Sequence, residues 1–442
     1  MSCELDSMLE RIGMKSAEEL FADVPQKVRI GKIDLPDGLD ELHTRACVED
    51  MMAKNLSAAT APCFMGAGSY DHYAPAAMRA LVGRSEFVTA YTPYQPEISQ
   101  GILHSLFEYQ CMMAELTGMD VVNDTMYDGA TALAEAALMS SRINGKEEFV
   151  IPASLHKDYK SVLRNYLDGP GIRLVEYAYD PLTGQADPSS ISSVVNENTA
   201  GLFVQSPNSF GVLEEVLPEA KDLAGKAALV VGVNPMSLAL LKAPADFGAD
   251  IVVGDAQPLG LGMNFGGPGA GLFAVKKEHA RKMPGRVVGM TADSHGKRAF
   301  CLTLSTREQH IRRSKATSNI CSNQALMAVA AAAYVALMGR KGMQRVAEQS
   351  LENAHALAAE LAHMKDVRAP LFKGPFFNEF AIGLPLDAGE VNKRLARKNV
   401  IGGAPLQLHK EGMGDAMLLA CTERSDAVAR KALVDALGGV LA

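Results

Sequence analysis

The chain has 442 residues, of which 48% are hydrophobic and 21% charged, with a formal net charge of −8. That length exceeds one ordinary core, so two or three domains are expected. The acidic balance argues against a nucleic-acid or anionic-membrane protein, because both need a basic face.

From the N-terminus, Met1 to Leu20 has no apolar stretch of signal-peptide length and carries several acidic residues. Neither a secretory signal nor an Arg-rich transit peptide is expected, and the location read from this is cytoplasmic. Leu5 to Ala22 predicts two short helices. In the second, Ser16 and Glu19 have capping-box spacing ahead of Leu20-Phe21, and Pro25 stops it. Val28 to Leu39 is irregular, with Pro36-Asp37-Gly38 as a turn. Asp40 is the N-cap expected for a helix reaching Leu56. Together these make an N-terminal helical segment, residues 1–60. Ser57 to Gln100 is rich in Gly, Pro, Ser and Tyr, with one helix around Ala76 to Val82. That much loop is usually functional or interfacial.

A regular pattern begins at Ile102. Ile102, Leu106, Tyr109, Met113 and Leu116 recur at steps of 4, 3, 4 and 3, one face of a helix closed by Gly118. A second helix spans about Thr131 to Arg142. Strands are predicted at Phe149 to Pro152, Leu174 to Tyr179, Gly201 to Gln205, Ala228 to Val231, Ile251 to Val253 and Leu272 to Val275. Helical stretches lie between most of them, at Lys157 to Leu167, Ser189 to Val195, Pro218 to Gly225 and Met236 to Leu241. Apolar strands alternating with helices predict an α/β domain over residues 61–324, with a mostly parallel sheet covered by helices on both faces. Beyond it, Ala325 to Met338 is too short for a membrane span and reads as a buried helix. A further helix from Gly342 to His363 and a strand from Glu379 to Gly383 follow. Residues 325–442 are expected to form a smaller α+β domain. The 7 cysteines are widely spaced, with no C-x-x-C and no Cys/His cluster. They predict neither disulfides nor a metal site, but reduced, mostly buried thiols.

The segment Ala249 to Gln257 resembles the strand and turn that carry the Schiff-base lysine in fold-type I PLP enzymes. It leads into Gly266-Gly267-Pro268-Gly269-Ala270-Gly271 and the next strand. Where such enzymes have a His-Lys pair, this chain has Ala256-Gln257. A glutamine amide is not a nucleophilic amine and forms no aldimine. The strand at Ala228, where a carboxylate for the pyridinium nitrogen would lie, is apolar and ends at Asn234; the nearest acids in sequence are Asp222 and Asp246. A Rossmann phosphate turn is excluded at 266–271, because a strand rather than a helix follows.

Most other motifs allow two readings. Tyr127-Asp128-Gly129-Ala130-Thr131 could present backbone N–H groups to a phosphate, or be an ordinary helix start. His156, just after a strand, could stack on a pyridine ring or be a surface histidine. Lys276 and Lys277 read as solvated lysines. Arg307, His310, Arg312, Arg313 and Lys315 could grip a phosphate or an acidic partner, or form a solvated helix face. The loop Tyr91-Thr92-Pro93-Tyr94-Gln95-Pro96-Glu97-Ile98-Ser99-Gln100 is dense in hydrogen-bonding groups and stiffened by two prolines, which points to function or to an ordered turn.

Three strings carry a resemblance to a known family: Met8-Leu9 through Leu20-Phe21, Gly66-Ala67-Gly68-Ser69-Tyr70, and the loop from Tyr91 to Gly101. So do Phe247 to Gly254 and Arg307-Glu308-Gln309-His310-Ile311-Arg312-Arg313 through Cys321. The chain resembles glycine decarboxylase, the P-protein of the glycine cleavage system, over essentially its whole length. It is similar to the half that does not bind PLP, the alpha subunit where the enzyme is split in two. The resemblance implies decarboxylation of glycine and transfer of the aminomethyl group to the lipoyl arm of H-protein. It implies PLP on a homologous beta subunit, and an α2β2 assembly. His156, Gly129, Thr131 and Asn234 would line a vestigial pocket. Tyr91, Tyr94, Glu97, Gln100, Ser69 and Tyr70 are expected to approach the partner's site. No metal, nucleic acid or membrane is expected. Two alternatives stay open: an autonomous PLP-dependent decarboxylase or aminotransferase, and a purely structural partner of the beta subunit.

Overall fold

The apolar runs pair into one sheet because each strand can bury both faces under helices. The computed structural model describes residues 2–31, 33–88, 90–321, 323–408 and 412–441. The strands are β1 (Val121–Val122), β2 (Glu148–Pro152), β3 (Arg173–Tyr177), β4 (Thr199–Gln205), β5 (Ala228–Val233), β6 (Ile251–Asp255) and β7 (Gly271–Val275). Their order is β1-β7-β6-β5-β4-β2-β3. The pairs from β3 to β6 are parallel, and β7 runs antiparallel to both β6 and β1. A strand alternates its side chains between faces, and this sheet has two cores to match. Val150, Leu202, Leu229, Val231, Val252 and Leu272 enter one. Phe149, Ile151, Phe203, Val230, Val253 and Phe273 enter the other. Full burial of each such side chain contributes roughly 1.5–3 kcal/mol.

The chain falls into two compact units, Met1–Asn55 and Leu56–Ala442. The first holds α1 (Ser2–Arg11) and α2 (Glu41–Met52). Asp40 caps α2 as expected, accepting from the His43 N–H at 2.8 Å. Ser16 does not cap: its side chain makes no such bond, and Glu19 instead accepts from the Lys15 N–H. The turn there is a short 3-10 segment, Ala17–Phe21, too tight for capping-box geometry. This unit leaves Met8, Val28, Ile30, Leu35 and Leu42 more than 60% exposed.

In the second unit the helices are α3 (Ala76–Val82), α4 (Ser85–Val88), α5 (Gln100–Thr117), α6 (Gly129–Asn144), α7 (Lys157–Asp168), α8 (Pro188–Val194), α9 (Ala220–Ala224), α10 (Gln309–Arg312), α11 (Ala325–Ala362), α12 (Ala388–Arg397) and α13 (Ala427–Leu441). Gly118 closes α5 at φ 71°, the left-handed cap its position predicts. The stretch predicted as a helix from Met236 is only a short 3-10 turn, Ser237–Ala239. The two helices predicted after Ala325 form α11, broken at Gly339, whose φ 57°, ψ −179° is not helical. Among the described helices, α11 alone is long and apolar enough to cross a membrane by length and composition. Its Ala328, Ala331 and Tyr334 are buried and it packs on α5 and α3, which makes it a core helix.

Several elements went unread in the sequence, among them β1, α4, α10 and an antiparallel hairpin of β8 (Val287–Ala292) and β9 (Arg298–Thr303), turned at Asp293 and Gly296. Near the C-terminus β10 (Glu379–Gly383), β12 (Ala416–Ala420) and β11 (Ala404–Pro405) form a second sheet. Its core takes Phe64, Leu357, Phe380, Leu395, Leu419 and Leu433. The thiols are less buried than expected. Cys47, Cys111 and Cys321 are exposed, Cys63 and Cys301 are intermediate and Cys421 is buried. Lys276 is no free surface lysine either, since its Nζ sits 2.5 Å from Asp250, a buried carboxylate that also holds Lys221. Burial opposes ionisation of Asp250, but the bonds from Lys221, Lys276 and the Leu229 N–H prevail and hold it below the usual range.

Candidate functional site

Ligands of open α/β sheets sit beyond the carboxyl ends of the strands, and here that edge holds a cavity of about 70 Å³. Gly129, His156, Asn234 and Asp255 line it, together with Tyr70 and Glu379. Such a volume accommodates a few water molecules. Three of the four residues expected to line a vestigial pocket, Gly129, His156 and Asn234, therefore meet. Thr131 stands behind them in the α6 capping box. Its N–H donates to Asp128 Oδ1 at 2.8 Å, and its Oγ1 accepts from the Asp128 N–H at 3.1 Å. His156 resolves into a third role. It is the N-cap of α7, with Nδ1 accepting from the Asp158 N–H at 3.1 Å. Burial, offset in part by Asp158, lowers its pKa. Asn234 Oδ1 accepts from the Met236 N–H, while its Nδ2 is buried with no partner.

Gln257 follows β6 by two residues and is buried. Its Oε1 accepts from the Tyr70 N–H at 2.8 Å. Its Nε2 donates to the carbonyls of Tyr70 at 2.9 Å and Leu261 at 2.8 Å. An amide has both a donor and an acceptor to offer, and this clamp uses both. The Gly66–Tyr70 turn is held from the other side by Glu379, which accepts from the Ala67 N–H at 2.5 Å and the Tyr70 hydroxyl at 3.0 Å. Burial raises Glu379 to about 7. A Cβ on Gly66 would lie 2.0 Å from Glu379 Oε1, so only glycine fits there.

The residues present do not fit PLP. Gln257, expected at the lysine position, is a clamped amide. The first N–H of α6, on Gly129, already donates to Asp255 Oδ2 at 3.0 Å. A phosphate there would face that carboxylate. β5, the strand expected to carry a pyridinium-binding acid, reads Ala-Leu-Val-Val-Gly-Val without one, and a Cβ on Gly232 would stand 2.7 Å from Phe203 Cζ. Asp255, Glu379 and the Gly232–Phe203 contact were missed in the sequence. The signal available was two acids in otherwise apolar strands, Ile-Val-Val-Gly-Asp and Glu-Phe-Ala-Ile-Gly.

The remaining expected residues lie on different elements. Ser69, half-buried, is in the Gly66–Tyr70 turn, and Tyr70 faces this chain's own cavity. Gln100 is structural in its contacts: its amide bonds both the N–H and the C=O of Phe300 in β9. Tyr94 accepts from Arg286 at 2.6 Å, with the guanidinium 4.9 Å from its ring centroid. Tyr91 is 84% exposed and Glu97 is also exposed. In the basic run, Arg307 is spent on the Met283 and Gly285 carbonyls, and Arg312 bonds the Thr306 carbonyl.

A family model described as glycine cleavage system P-protein matches residues 2–437. The chain belongs to the P-protein family. It is 46% identical over 438 residues to a Carboxydothermus hydrogenoformans protein named probable glycine dehydrogenase (decarboxylating) subunit 1, covering 99% of this chain and 98% of that one. A Thermococcus kodakarensis protein of the same name is 45% identical over 444 residues, covering 100% and 97%. A crystal structure of glycine decarboxylase (P-protein) of the glycine cleavage system, in inhibitor-bound form, matches with a TM-score of 0.90 and 42% identity, over 100% of this chain and 99% of that one. A sphingosine-1-phosphate lyase from Burkholderia pseudomallei matches at TM-score 0.67 and 17% identity, covering 94% of each chain, and shares the fold alone. The P-protein chain thus has the fold-type I architecture expected of it.

Proposed function

We propose that this chain is the alpha subunit of a two-chain glycine decarboxylase. It works with a homologous beta subunit that carries PLP, and with the lipoyl arm of H-protein, which accepts the aminomethyl group as CO2 leaves glycine. The chemistry PLP supplies there is withdrawal of electrons from the carbon that loses CO2. The observation that carries the reading is Gln257, a clamped amide where the cofactor amine would stand. The relatives' name, subunit 1 of glycine dehydrogenase (decarboxylating), supports a second subunit. So does the number of large apolar residues exposed in the first 55 residues, which a partner surface would cover. An α2β2 stoichiometry and a cytoplasmic location belong to the same reading.

In this assembly the exposed loop of Tyr91, Tyr94 and Glu97 reaches the partner's site. Exchange of label between bicarbonate and the glycine carboxyl tests the function: exchange with H-protein needs both subunits, and exchange by this chain alone refutes the reading. Tyr94→Phe and Glu97→Ala lower turnover of the complex without dissociating it. Unchanged kinetics in both would leave the chain a purely structural partner.

A further inference from the structure

The first N–H groups of a helix lack intrahelical partners and carry the positive end of its dipole, so they collect anions. At α6 the anion is the protein's own. Asp255 Oδ2 accepts from the Gly129 N–H at 3.0 Å, and Oδ1 accepts from the N–H groups of Gln257 at 2.9 Å and Ala270 at 3.3 Å. These donors come from three places: the start of α6, the turn after β6, and the approach to β7. Glycines permit the crowding. A Cβ on Gly129 would lie 2.5 Å from the Tyr159 hydroxyl, and one on Gly269 would lie 3.1 Å from Asp255 Oδ2. Asp255 is enclosed by protein but keeps some surface toward the cavity it lines. Convergent backbone N–H groups around a helix start are how proteins hold a phosphate; here Asp255 takes the Gly129, Gln257 and Ala270 N–H groups, while the N-cap Asp128 takes that of Thr131.

We propose that Asp255 is a resident anion that stands in for a phosphate at the N-terminus of α6 and keeps phosphate-bearing ligands out of this chain's cavity. The proposal rests on the reading that PLP belongs to the partner, and it names the group that enforces that division. Gln257 removes the amine, but loss of an amine alone would leave a cavity able to take up the cofactor without a covalent bond. Asp255 closes that route by charge and by occupancy. The cradle itself is intact, so removing one side chain opens it.

Calorimetric titration of the full chain with inorganic phosphate tests this on wild type, Asp255→Ala and Asp255→Asn. Asp255→Ala is expected to bind one phosphate per chain at least about tenfold more tightly than wild type, since a like charge a few ångströms away is gone. Asp255→Asn, which keeps an acceptor for the Gly129 N–H, should fall between them. Each variant should melt higher in phosphate than in chloride of equal ionic strength. Wild type binding phosphate as tightly as the variants overturns the proposal, and so does indifference of both folded variants. If Asp255→Ala does not fold, Asp255→Asn decides alone by the same criteria. PLP added to wild type separates the two layers. A visible cofactor band on wild type defeats the underlying reading, whereas a colourless wild type with phosphate-indifferent variants defeats only the role of Asp255.

Discussion

Gln257→Lys puts back the amine that fold-type I chemistry requires, and the structure predicts that the variant will still not hold PLP. Gln257 satisfies three backbone groups at once: the N–H and C=O of Tyr70 and the C=O of Leu261. Lysine has donors and no acceptor. It can serve the two carbonyls but leaves the buried Tyr70 N–H without a partner, a loss of about 1–3 kcal/mol. Gln257→Ala removes all three bonds; the Tyr70 C=O keeps the His72 N–H, so two groups lose their partner, about 2–6 kcal/mol, and a void adds to that. Urea unfolding should therefore rank wild type, then lysine, then alanine. Adding PLP to purified Gln257→Lys should give no visible band, because Asp255 still holds the Gly129 N–H at the start of α6 and Phe203 still fills the space beside Gly232. A yellow, borohydride-reducible Gln257→Lys chain would refute the closed cavity outright, since it would show that only the amine was missing.

Three other outcomes follow from the same geometry. Gly232→Asp, which places an acid on β5, sets its Cβ 2.7 Å from Phe203 Cζ, and overpacking of about 1–3 kcal/mol should appear in urea melts; Phe203→Leu in that background should recover part of it. Asp250→Asn loses the charge that Lys221 and Lys276 share at 2.5 Å each, which should cost about 1–3 kcal/mol, with an unchanged urea midpoint contradicting it. Burial raises Asp124, Glu214 and Glu379 to about 7 and Asp255 to about 6. Such groups bind a proton more tightly folded than unfolded, so stability falls as pH rises from the ordinary carboxylate range of about 4 through about 7. The melting temperature should be higher near about pH 5.5 than near about pH 8, and the reverse order would mean that these carboxylates are solvated.

The sheet was legible because its strands are short apolar runs separated by helical stretches, a pattern that parallel sheets impose on sequence. The β8–β9 hairpin was not read. Its outer end is polar and exposed, so its Val-Val-Gly-Met and Ala-Phe-Cys-Leu runs look like loop between better-defined elements. Within the site, Gln257 was singled out by counting back from the glycine-rich loop, and the structure finds it buried and bonded to Tyr70 and Leu261. Asp255 was not, because an acid at a strand end ordinarily marks a solvated turn. Only the folded chain brings the start of α6 and the approach to β7 onto it. Glu379 was hidden for a similar reason: its partners, Ala67 and Tyr70, lie in a loop near the other end of the chain. His156 shows the limit of motif reading, since a backbone cap and a ring-stacking position make the same demand on sequence.

The division of labour between two chains is tested most directly by where PLP is found. The active complex of this chain with its partner would be loaded with PLP, reduced with borohydride and digested, and the pyridoxyl-modified peptide identified by mass spectrometry. The account predicts label on the partner subunit alone, and no modified peptide from this chain. One pyridoxyl group per complex on a lysine of this chain, with none on the partner, would contradict it and would move the cofactor, and the chemistry, onto this chain.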